Sequence, residues 1–327
     1  MSKYTIALIV PYFGSFPNYF HLWLESAKRN SDIDFIIVTD NKKLMGGGTG
    51  NIKIISSTLL EVQKRANAVF KMQCKMQTPY KLCDYKPAYG LIFADILRGY
   101  DFWGYCDIDI VWGDLRKFIT DDLLEQYNRL FNLGHLTLYR NDAKTNKVFM
   151  KRLTGVHYTY KEAFNLEYNI GFDEKGCLAG LSKNGNYLQY DNNDNIADIW
   201  PDTVRFRTFH TYYSDYDHVY SYENGKVIGH FFNGGRIVRK EFMYIHLQKR
   251  KMMVLNHDDT NYLIVPNSFI DMPQITIELI KEYSNDRSPL NTDNDNKEIS
   301  QISPKALLLR RKIRRLVFAK LLKIDQL

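Results

Sequence analysis

The sequence predicts an α/β protein built around a buried central sheet. Two apolar, β-branched runs, residues 4–10 and 34–39, flank a stretch of helical spacing at residues 19–29. Strands of this kind that are separated by a helix are typical of parallel pairing with both sheet faces buried. The chain has 327 residues and 45% hydrophobic content, which is enough for one large α/β core or two modest ones.

Further elements extend this pattern. Residues 52–55 indicate a third strand, residues 58–72 a helix, and residues 87–98 another helix with a proline in its first turn. A β-rich segment at residues 100–106 follows. Later patterns are less regular, apart from a hairpin signal at Glu223-Asn224-Gly225-Lys226.

The positive charge of the chain is concentrated near residue 327. Residues 304–327 hold eight Lys and Arg side chains against one acid, which accounts for the formal net charge of +7. Because the rest is neutral, we expect no basic groove and no nucleic acid partner. Apolar residues at helical spacing in residues 304–327 favour an anionic membrane surface as the partner of this segment; a partner helix or a plain solvated helix is the alternative.

The composition also bears on the cellular location. The four cysteines have no CxxC spacing, and neither a leader pattern nor a transmembrane run is found. We therefore expect a reducing, cytoplasmic location, with the protein held reversibly at a membrane surface.

Pairs of aspartates separated by one residue suggest a cation site. The chain contains four such triplets: Asp32-Ile33-Asp34, Asp107-Ile108-Asp109, Asp215-Tyr216-Asp217 and Asp293-Asn294-Asp295. Among them, the second ends an apolar strand in mid-chain and is followed by more apolar residues. Two carboxylates there are costly unless a cation neutralises them, and oxygen ligands suit Mg²⁺ or Mn²⁺. The alternative is a pair of acids that caps the following turn.

Other candidate ligands lie on both sides of this motif. Ligands of parallel sheets bind at the carboxyl ends of the strands, where Pro11, Tyr12, Phe13 and Asp40 are expected. His246 and Lys249, three residues apart, offer a metal ligand and a phosphate partner.

Some further residues are weaker candidates. Lys81, Lys86 and Arg98 are additional cations near the motif. The glycines of residues 46–50 match no phosphate-binding pattern and indicate a loop.

Three segments resemble a known family. Residues 80–90, 100–109 and 244–250 are similar to bacterial glycosyltransferases of capsule, exopolysaccharide and lipopolysaccharide biosynthesis, with the Asp-Phe-Trp-Gly-x-x-Asp-x-Asp block as the most specific part. The resemblance covers roughly residues 4–255. It implies a GT-A fold with a mixed central sheet, a nucleotide-sugar donor, usually a UDP-sugar, and Mn²⁺ or Mg²⁺ as cofactor.

The resemblance also implies roles for single residues. Asp107 would face the donor ribose or the metal, Asp109 would be the principal carboxylate ligand, and His246 a further ligand. Lys249 would contact the phosphates, and Lys86 the donor sugar or phosphate. The His-x-x-Lys spacing departs from the His-Gly-Lys-Pro signature of retaining relatives.

The domain organisation follows from these readings. We expect one GT-A domain over residues 1–283, with a nucleotide-sugar half at 1–120 and an acceptor half at 121–283. A flexible linker rich in Ser, Asn and Asp follows at 284–303, and residues 304–327 form the basic amphipathic helix.

The residue that accepts the proton depends on the stereochemistry. An inverting enzyme needs a carboxylate base, whereas a retaining one needs none beyond the leaving phosphate. Asp173 and Glu174 are the candidate base, although acids near a helix N-terminus explain them equally well. Asp198 is a reserve candidate, and His135 either lines the site or is structural.

Three functions remain open from the sequence. The first is a hexosyltransferase that modifies a saccharide, in particular a lipid-linked oligosaccharide, at the cytoplasmic face of the inner membrane. The second is a sugar-phosphate nucleotidyltransferase, which also uses strand-end aspartates and Mg²⁺. The third is a non-catalytic module that binds glycans through its many aromatic side chains.

Overall fold

The computed structural model of the chain describes residues 2–151, 158–173, 188–201, 203–213 and 215–285. Over those residues the chain is a mixed α/β protein with three sheets, which confirms the predicted fold class.

Helices and strands alternate in the first half, and strands dominate the second. The strands, in chain order, are β1 (Ile6–Pro11), β2 (Ile33–Thr39), β3 (Ile52–Ser56), β4 (Phe102–Cys106), β5 (Ile110–Trp112), β6 (Arg129–Leu130), β7 (Leu136–Arg140), β8 (Gln189–Tyr190), β9 (Ile196–Asp198), β10 (His218–Glu223), β11 (Lys226–Asn233), β12 (Arg236–Phe242), β13 (Tyr244–His246), β14 (Met253–Val254), β15 (Asn261–Val265) and β16 (Ser268–Asp271). The α-helices are α1 (Phe20–Lys28), α2 (Leu59–Phe70), α3 (Leu82–Tyr85), α4 (Tyr89–Ile92), α5 (Leu115–Phe118), α6 (Asp121–Gln126), α7 (Tyr160–Asn165) and α8 (Ile277–Ser284). Short 3₁₀ segments lie at Lys42–Leu44, Pro79–Lys81, Lys86–Ala88 and Thr145–Met150.

The first sheet has seven strands in the order β3-β2-β1-β4-β7-β6-β8. β1 pairs in parallel with β2 and β4, and β3 is parallel to β2, whereas β7 runs antiparallel to β4. The predicted β-α-β unit is therefore confirmed within a mixed sheet. Ala7 and Ile9 pack into one apolar cluster and Leu8 and Val10 into another, which explains why β1 is apolar at successive positions.

The helix predicted over residues 58–72 is confirmed as α2, which begins with a capping box. The Thr58 hydroxyl accepts from the Glu61 N–H, and the Glu61 carboxylate accepts from the Thr58 N–H.

The prediction of one helix over residues 87–98 is wrong. A 3₁₀ turn and the four-residue α4 occupy its first part, and turns follow. A Cβ at Gly90 would stand 2.5 Å from the Trp103 indole, so this segment packs very closely on β4. Tertiary packing overrides the helical spacing here.

The second sheet has six strands in the order β12-β11-β10-β15-β16-β14. The hairpin predicted at residues 223–226 joins β10 to β11. Asn224 and Gly225 both have positive φ, 48° and 97°, as a two-residue hairpin turn requires. Helix α8 packs on β10 and β11.

A small third sheet, β5-β13-β9, determines the geometry of the site. β13 runs antiparallel to β5 and parallel to β9, so that His246 pairs with Ile110 on one side and with Asp198 on the other. Three segments that are far apart in sequence thus present polar residues at one edge.

The remaining predictions concern the chain beyond residue 285. The predicted helix at 304–327, and the predicted linker at 284–303 apart from its first two residues, lie outside the described residues. Among the described helices, none has the length and apolar character needed to cross a bilayer.

Candidate active site

A cleft of about 1660 Å³ opens at the carboxyl ends of β1 and β4. Pro11, Tyr12 and Phe13 line it after β1, and Asp107 and Asp109 line it after β4. The ends of β1 and β4 meet at one site because the two strands are parallel neighbours. The cleft exceeds the usual volume of a pocket for one small ligand, roughly 300–1,000 Å³.

Asp107, Asp109 and His246 converge in this cleft. The Nε2 atom of His246 lies 3.4 Å from Oδ1 of Asp109 and 3.9 Å from Oδ2 of Asp107. One ligand atom from each residue lies within 4.8 Å of the others, which fits a shared cation. Carboxylate oxygens with one imidazole nitrogen suit Mn²⁺ or Mg²⁺.

The charges of these groups depend on one another. Burial would raise the pKa of Asp109, but the charge of His246 and the hydrogen bonds that Asp109 accepts hold it well below its usual value. Burial would lower the pKa of His246, but Asp109 and Asp198 raise it to about 10. A cation bound by Asp107, Asp109 and His246 would take the place of the proton on Nε2, because only a neutral imidazole nitrogen can be a ligand.

Asp198 holds the opposite edge of the His246 ring. Its Oδ1 lies 2.9 Å from Nδ1 of His246 and also accepts from Nε2 of Gln248 at 2.7 Å. Burial would raise the pKa of Asp198, but the nearby imidazoles of His135 and His246 lower it strongly. As a carboxylate, Asp198 accepts the Nδ1 proton and leaves Nε2 directed at Asp107 and Asp109.

His135 extends this arrangement. Its ring centroid lies 4.1 Å from that of His246, and its Nε2 atom lies 3.7 Å from Asp198 Oδ2. His135, Asp198 and His246 form a second group with the spacing of metal ligands. That group shares His246, whose Nδ1 is already bound to Asp198.

Lys86 links the acidic motif to a predicted base. Its ammonium group donates to Asp107 Oδ1 at 2.8 Å and to the Gly134 carbonyl at 2.8 Å, and it lies 3.6 Å from Asp173 Oδ2. Burial would lower the pKa of Lys86, but the charge of Asp107 raises it well above its usual value. Asp173 is buried and lines the same cleft.

The turn after β13 places Lys249 beside the acids. Its backbone N–H donates to Asp109 Oδ2 at 2.5 Å, and its ammonium group lies 4.2 Å from the centroid of the Tyr80 ring. Gln248 and Lys249 both have left-handed φ values, 53° and 59°, which are uncommon for residues other than glycine. Such a backbone persists only where surrounding contacts hold it.

Other candidates from the sequence lie elsewhere. Asp40 is exposed at the end of β2, and Arg98 is exposed; neither is among the residues that line the cleft. Lys81 is buried and donates to Asp84 at 2.7 Å, so its charge is paired within the fold and does not face the cleft. Glu174 lies outside the described residues.

The remaining aspartate triplets and the glycine loop are not among the described residues that line the cleft. Asp34 pairs with Lys53 near the start of β2, and Asp217 lies 3.6 Å from Arg205. The triplet at residues 293–295 lies outside the described residues, and residues 46–50 do not line the cleft.

Sequence reasoning missed several residues of the cleft wall. Tyr158, Phe209 and His210 line it without any motif that marks them. The available signal was the unusual frequency of aromatic residues, which included an aromatic-rich piece at residues 209–222 in the half expected to bind the acceptor.

The fold and the cleft define an α/β protein with a buried acid-and-histidine group suited to a divalent cation. The chain belongs to the family of unknown function DUF6625, whose model matches residues 8–273. Among curated proteins, no sequence matches it. Among solved structures, it is similar to mouse xyloside xylosyltransferase 1 in its apo form, with 8% identity, 61% of this chain and 88% of that chain covered, and a TM-score of 0.37. A likeness of that size carries no functional conclusion.

Proposed function

We propose that this chain is a divalent-metal-dependent glycosyltransferase with a GT-A-type fold, which uses a nucleotide-sugar donor, in particular a UDP-sugar. The observation that carries the proposal is the convergence of Asp107, Asp109 and His246 in a large cleft at the carboxyl ends of parallel strands. Lys86 and Lys249, which also line the cleft, supply positive charge for a diphosphate.

The site chemistry suits departure of a nucleoside diphosphate. A divalent cation bound by these acids would neutralise the negative charge that grows on the departing phosphate oxygen. The hydrogen bond between the Lys249 backbone and Asp109 supports a role for the Lys249 side chain at the phosphates, and the Pro11–Phe13 segment would provide a wall for the nucleotide. Lys86, which bridges Asp107 and Asp173, would orient the donor sugar between them.

The acceptor is proposed to be a saccharide, in particular a lipid-linked oligosaccharide of surface polysaccharide assembly. Asp173, with Glu174, stays the predicted base for an inverting reaction, and Asp173 lies 3.6 Å from Lys86. Residues 304–327 would hold the enzyme at an anionic cytoplasmic membrane surface. Removing them should abolish binding to anionic liposomes, and unchanged binding would refute this role.

Hydrolysis of the donor tests the proposed function. We expect the wild-type chain to hydrolyse a member of a panel of UDP-, GDP- and CDP-sugars when Mn²⁺ is present and not after chelation. Asp109→Asn should lower this rate at least about 100-fold, because it removes a charged ligand. Asp122→Asn, at an exposed position in α6, is the matched control and should keep the wild-type rate.

Two results would argue against the proposed glycosyltransferase function. Near-normal hydrolysis by Asp109→Asn would exclude the cation site. Release of pyrophosphate from a sugar phosphate and a nucleoside triphosphate would favour nucleotidyl transfer instead.

A further inference from the structure

One wall of the cleft carries an exposed aromatic ring that the metal site does not use. Phe209 lines the cleft and is 39% exposed. Its ring stacks on that of Trp200, with centroids 4.7 Å apart and planes inclined by 19°. Trp200 therefore supports one face of Phe209. Aromatic side chains that line a cleft are typical of ligand pockets.

The register of the small sheet places this ring relative to the acids. Along the sheet edge, Asp109 precedes β5, His246 ends β13, and Asp198 ends β9. The next segment is bound to β9, because Ile199 forms a bridge with Thr208 and the Phe209 N–H donates to the Asp198 carbonyl. Neighbouring strands lie about 4.8 Å apart, so residues 208–210 lie roughly 10 Å from β13.

The Phe209 ring is therefore separate from the predicted cation site, although both lie in the same cleft. Asp107 and Asp109 lie at the Nε2 edge of His246, whereas Asp198 and the Phe209 segment lie at its Nδ1 edge. A donor sugar attached to metal-bound phosphates would thus leave room for a second sugar against Phe209.

The surroundings of Phe209 favour a neutral ligand. The Lys and Arg side chains among the described lining residues are Lys86, Lys249, Arg250 and Lys251. Lys86 is paired with Asp107, and Lys249 lies over Tyr80. The Arg250 guanidinium donates to the backbone carbonyls of Trp200, Thr203 and Val204.

The neighbour of Phe209 is His210, whose Nε2 lies 3.9 Å from Asp198 Oδ2 and which also lines the cleft. An aromatic face beside a hydrogen-bonding imidazole matches a pyranose, because a sugar presents an apolar C–H face and hydroxyl groups at its edge. Of the four lining cations, Lys86 is paired with Asp107, Arg250 with backbone carbonyls, and Lys249 is assigned above to the donor phosphates, which leaves less fixed positive charge for an acidic sugar.

We infer that Phe209, supported by Trp200, is the platform for a neutral sugar ring of the acceptor, with His210 as a hydrogen-bonding partner of its hydroxyls. This inference rests on the proposed glycosyltransferase function. It names the acceptor class as a neutral saccharide rather than an acidic one.

Glycan binding by the full chain tests the inference directly. The probe is a printed array of neutral gluco-, galacto-, manno- and xylo-configured oligosaccharides together with their uronic-acid counterparts. The wild-type chain should retain a neutral member in preference to the acidic ones. Phe209→Ala should weaken that retention at least tenfold, and Phe209→Tyr should restore it.

Tyr212→Ala is the matched control. Tyr212 lies three residues after Phe209 and is 81% exposed, but it does not line the cleft. Its variant should retain glycans as the wild type does. Equal retention by wild type and Phe209→Ala, preference for acidic glycans, or retention of no neutral glycan would each overturn the inference.

The outcome is distinguishable from failure of the proposed function. Absence of metal-dependent hydrolysis of every donor by the wild-type chain refutes the transferase, whatever the array shows. If hydrolysis occurs, Phe209→Ala should also raise the KM for a retained neutral acceptor at least tenfold, with a smaller change in kcat. An unchanged KM would refute the role of Phe209 but not the proposed transferase function.

Discussion

At the scale of single residues, the site depends on how one histidine ring is oriented. His246 can present Nε2 to Asp107 and Asp109 because Asp198 accepts the proton of Nδ1. Gln248 in turn donates to the same oxygen of Asp198. Such partners of a ligating histidine determine its tautomer and raise its basicity, so their loss weakens metal binding although they do not touch the ion.

Replacing Asp198 with Asn should therefore weaken Mn²⁺ binding. The amide keeps the size of the carboxylate but removes its charge, so the affinity should fall about 10–100-fold. Titration calorimetry with Mn²⁺ measures this directly. Asp122→Asn serves as the matched control and should bind as the wild type does; an unchanged dissociation constant for Asp198→Asn would exclude the orienting role.

At the scale of elements, the turn after β13 connects the site to its surroundings. Its left-handed residues Gln248 and Lys249 are followed by Arg250, which donates to three backbone carbonyls of residues 200–204 and to Asn267 Oδ1 at 3.1 Å. Arg250 is therefore the residue that ties this turn to the segment that follows β9. The planar fork of arginine makes these parallel bonds, which a lysine cannot reproduce.

We expect Arg250→Lys to lower the free energy of unfolding by about 1–3 kcal/mol. The loss follows from buried carbonyls that lose their donors. Urea unfolding at constant pH measures it. Arg236→Lys, at the exposed start of β12, should change the unfolding free energy by less than about 0.5 kcal/mol. Equal stability of the two variants would show that Arg250 does not hold the turn.

At the scale of the whole molecule, the second sheet contains two buried histidines. His218 in β10 and His230 in β11 are 2% and 3% exposed. Burial lowers the pKa of each to about 4, although the hydrogen bond with the Tyr216 carbonyl favours the charged form of His218. Both rings are therefore neutral in the folded chain at neutral pH.

This burial predicts acid sensitivity. In the unfolded chain both histidines titrate near pH 6.5, so the folded state binds fewer protons than the unfolded state between about pH 6.5 and 4. The contribution of the two neutral rings to the free energy of unfolding should be complete above about pH 6.5 and should fall as the pH drops through this window. The expected loss is about 3 kcal/mol for each histidine.

His218→Asn tests the contribution of one ring. Asparagine can keep the hydrogen bond to the Tyr216 carbonyl but does not titrate, so the variant should show a shallower fall of unfolding free energy between pH 6.5 and 4. The pH slope is compared, because the absolute stability also changes with the lost volume. His21→Asn, at a side chain in α1 that is 44% exposed, should keep the wild-type slope. A wild-type slope in His218→Asn would contradict the assignment.

Over the whole chain, the features that depend on neighbouring residues could be predicted from local patterns. The apolar runs gave β1, β2 and β3, and the pair Asn224-Gly225 gave the hairpin turn. The acidic motif could be chosen among four because an apolar strand precedes it. These are local effects of burial, side-chain shape and backbone freedom, which each segment carries with it.

The residues that surround that motif come from distant parts of the chain and could not be predicted from local patterns. His246 meets Asp198 across 48 residues of sequence, and Lys249 meets Asp109 across 140. Both contacts follow from the register of β5, β13 and β9, and a shift by one residue would turn each side chain to the opposite face. Strand register is determined by packing over the whole core. No local pattern around Asp198 or Phe209 could therefore show that Asp198 lies beside His246 or that Phe209 lines the cleft.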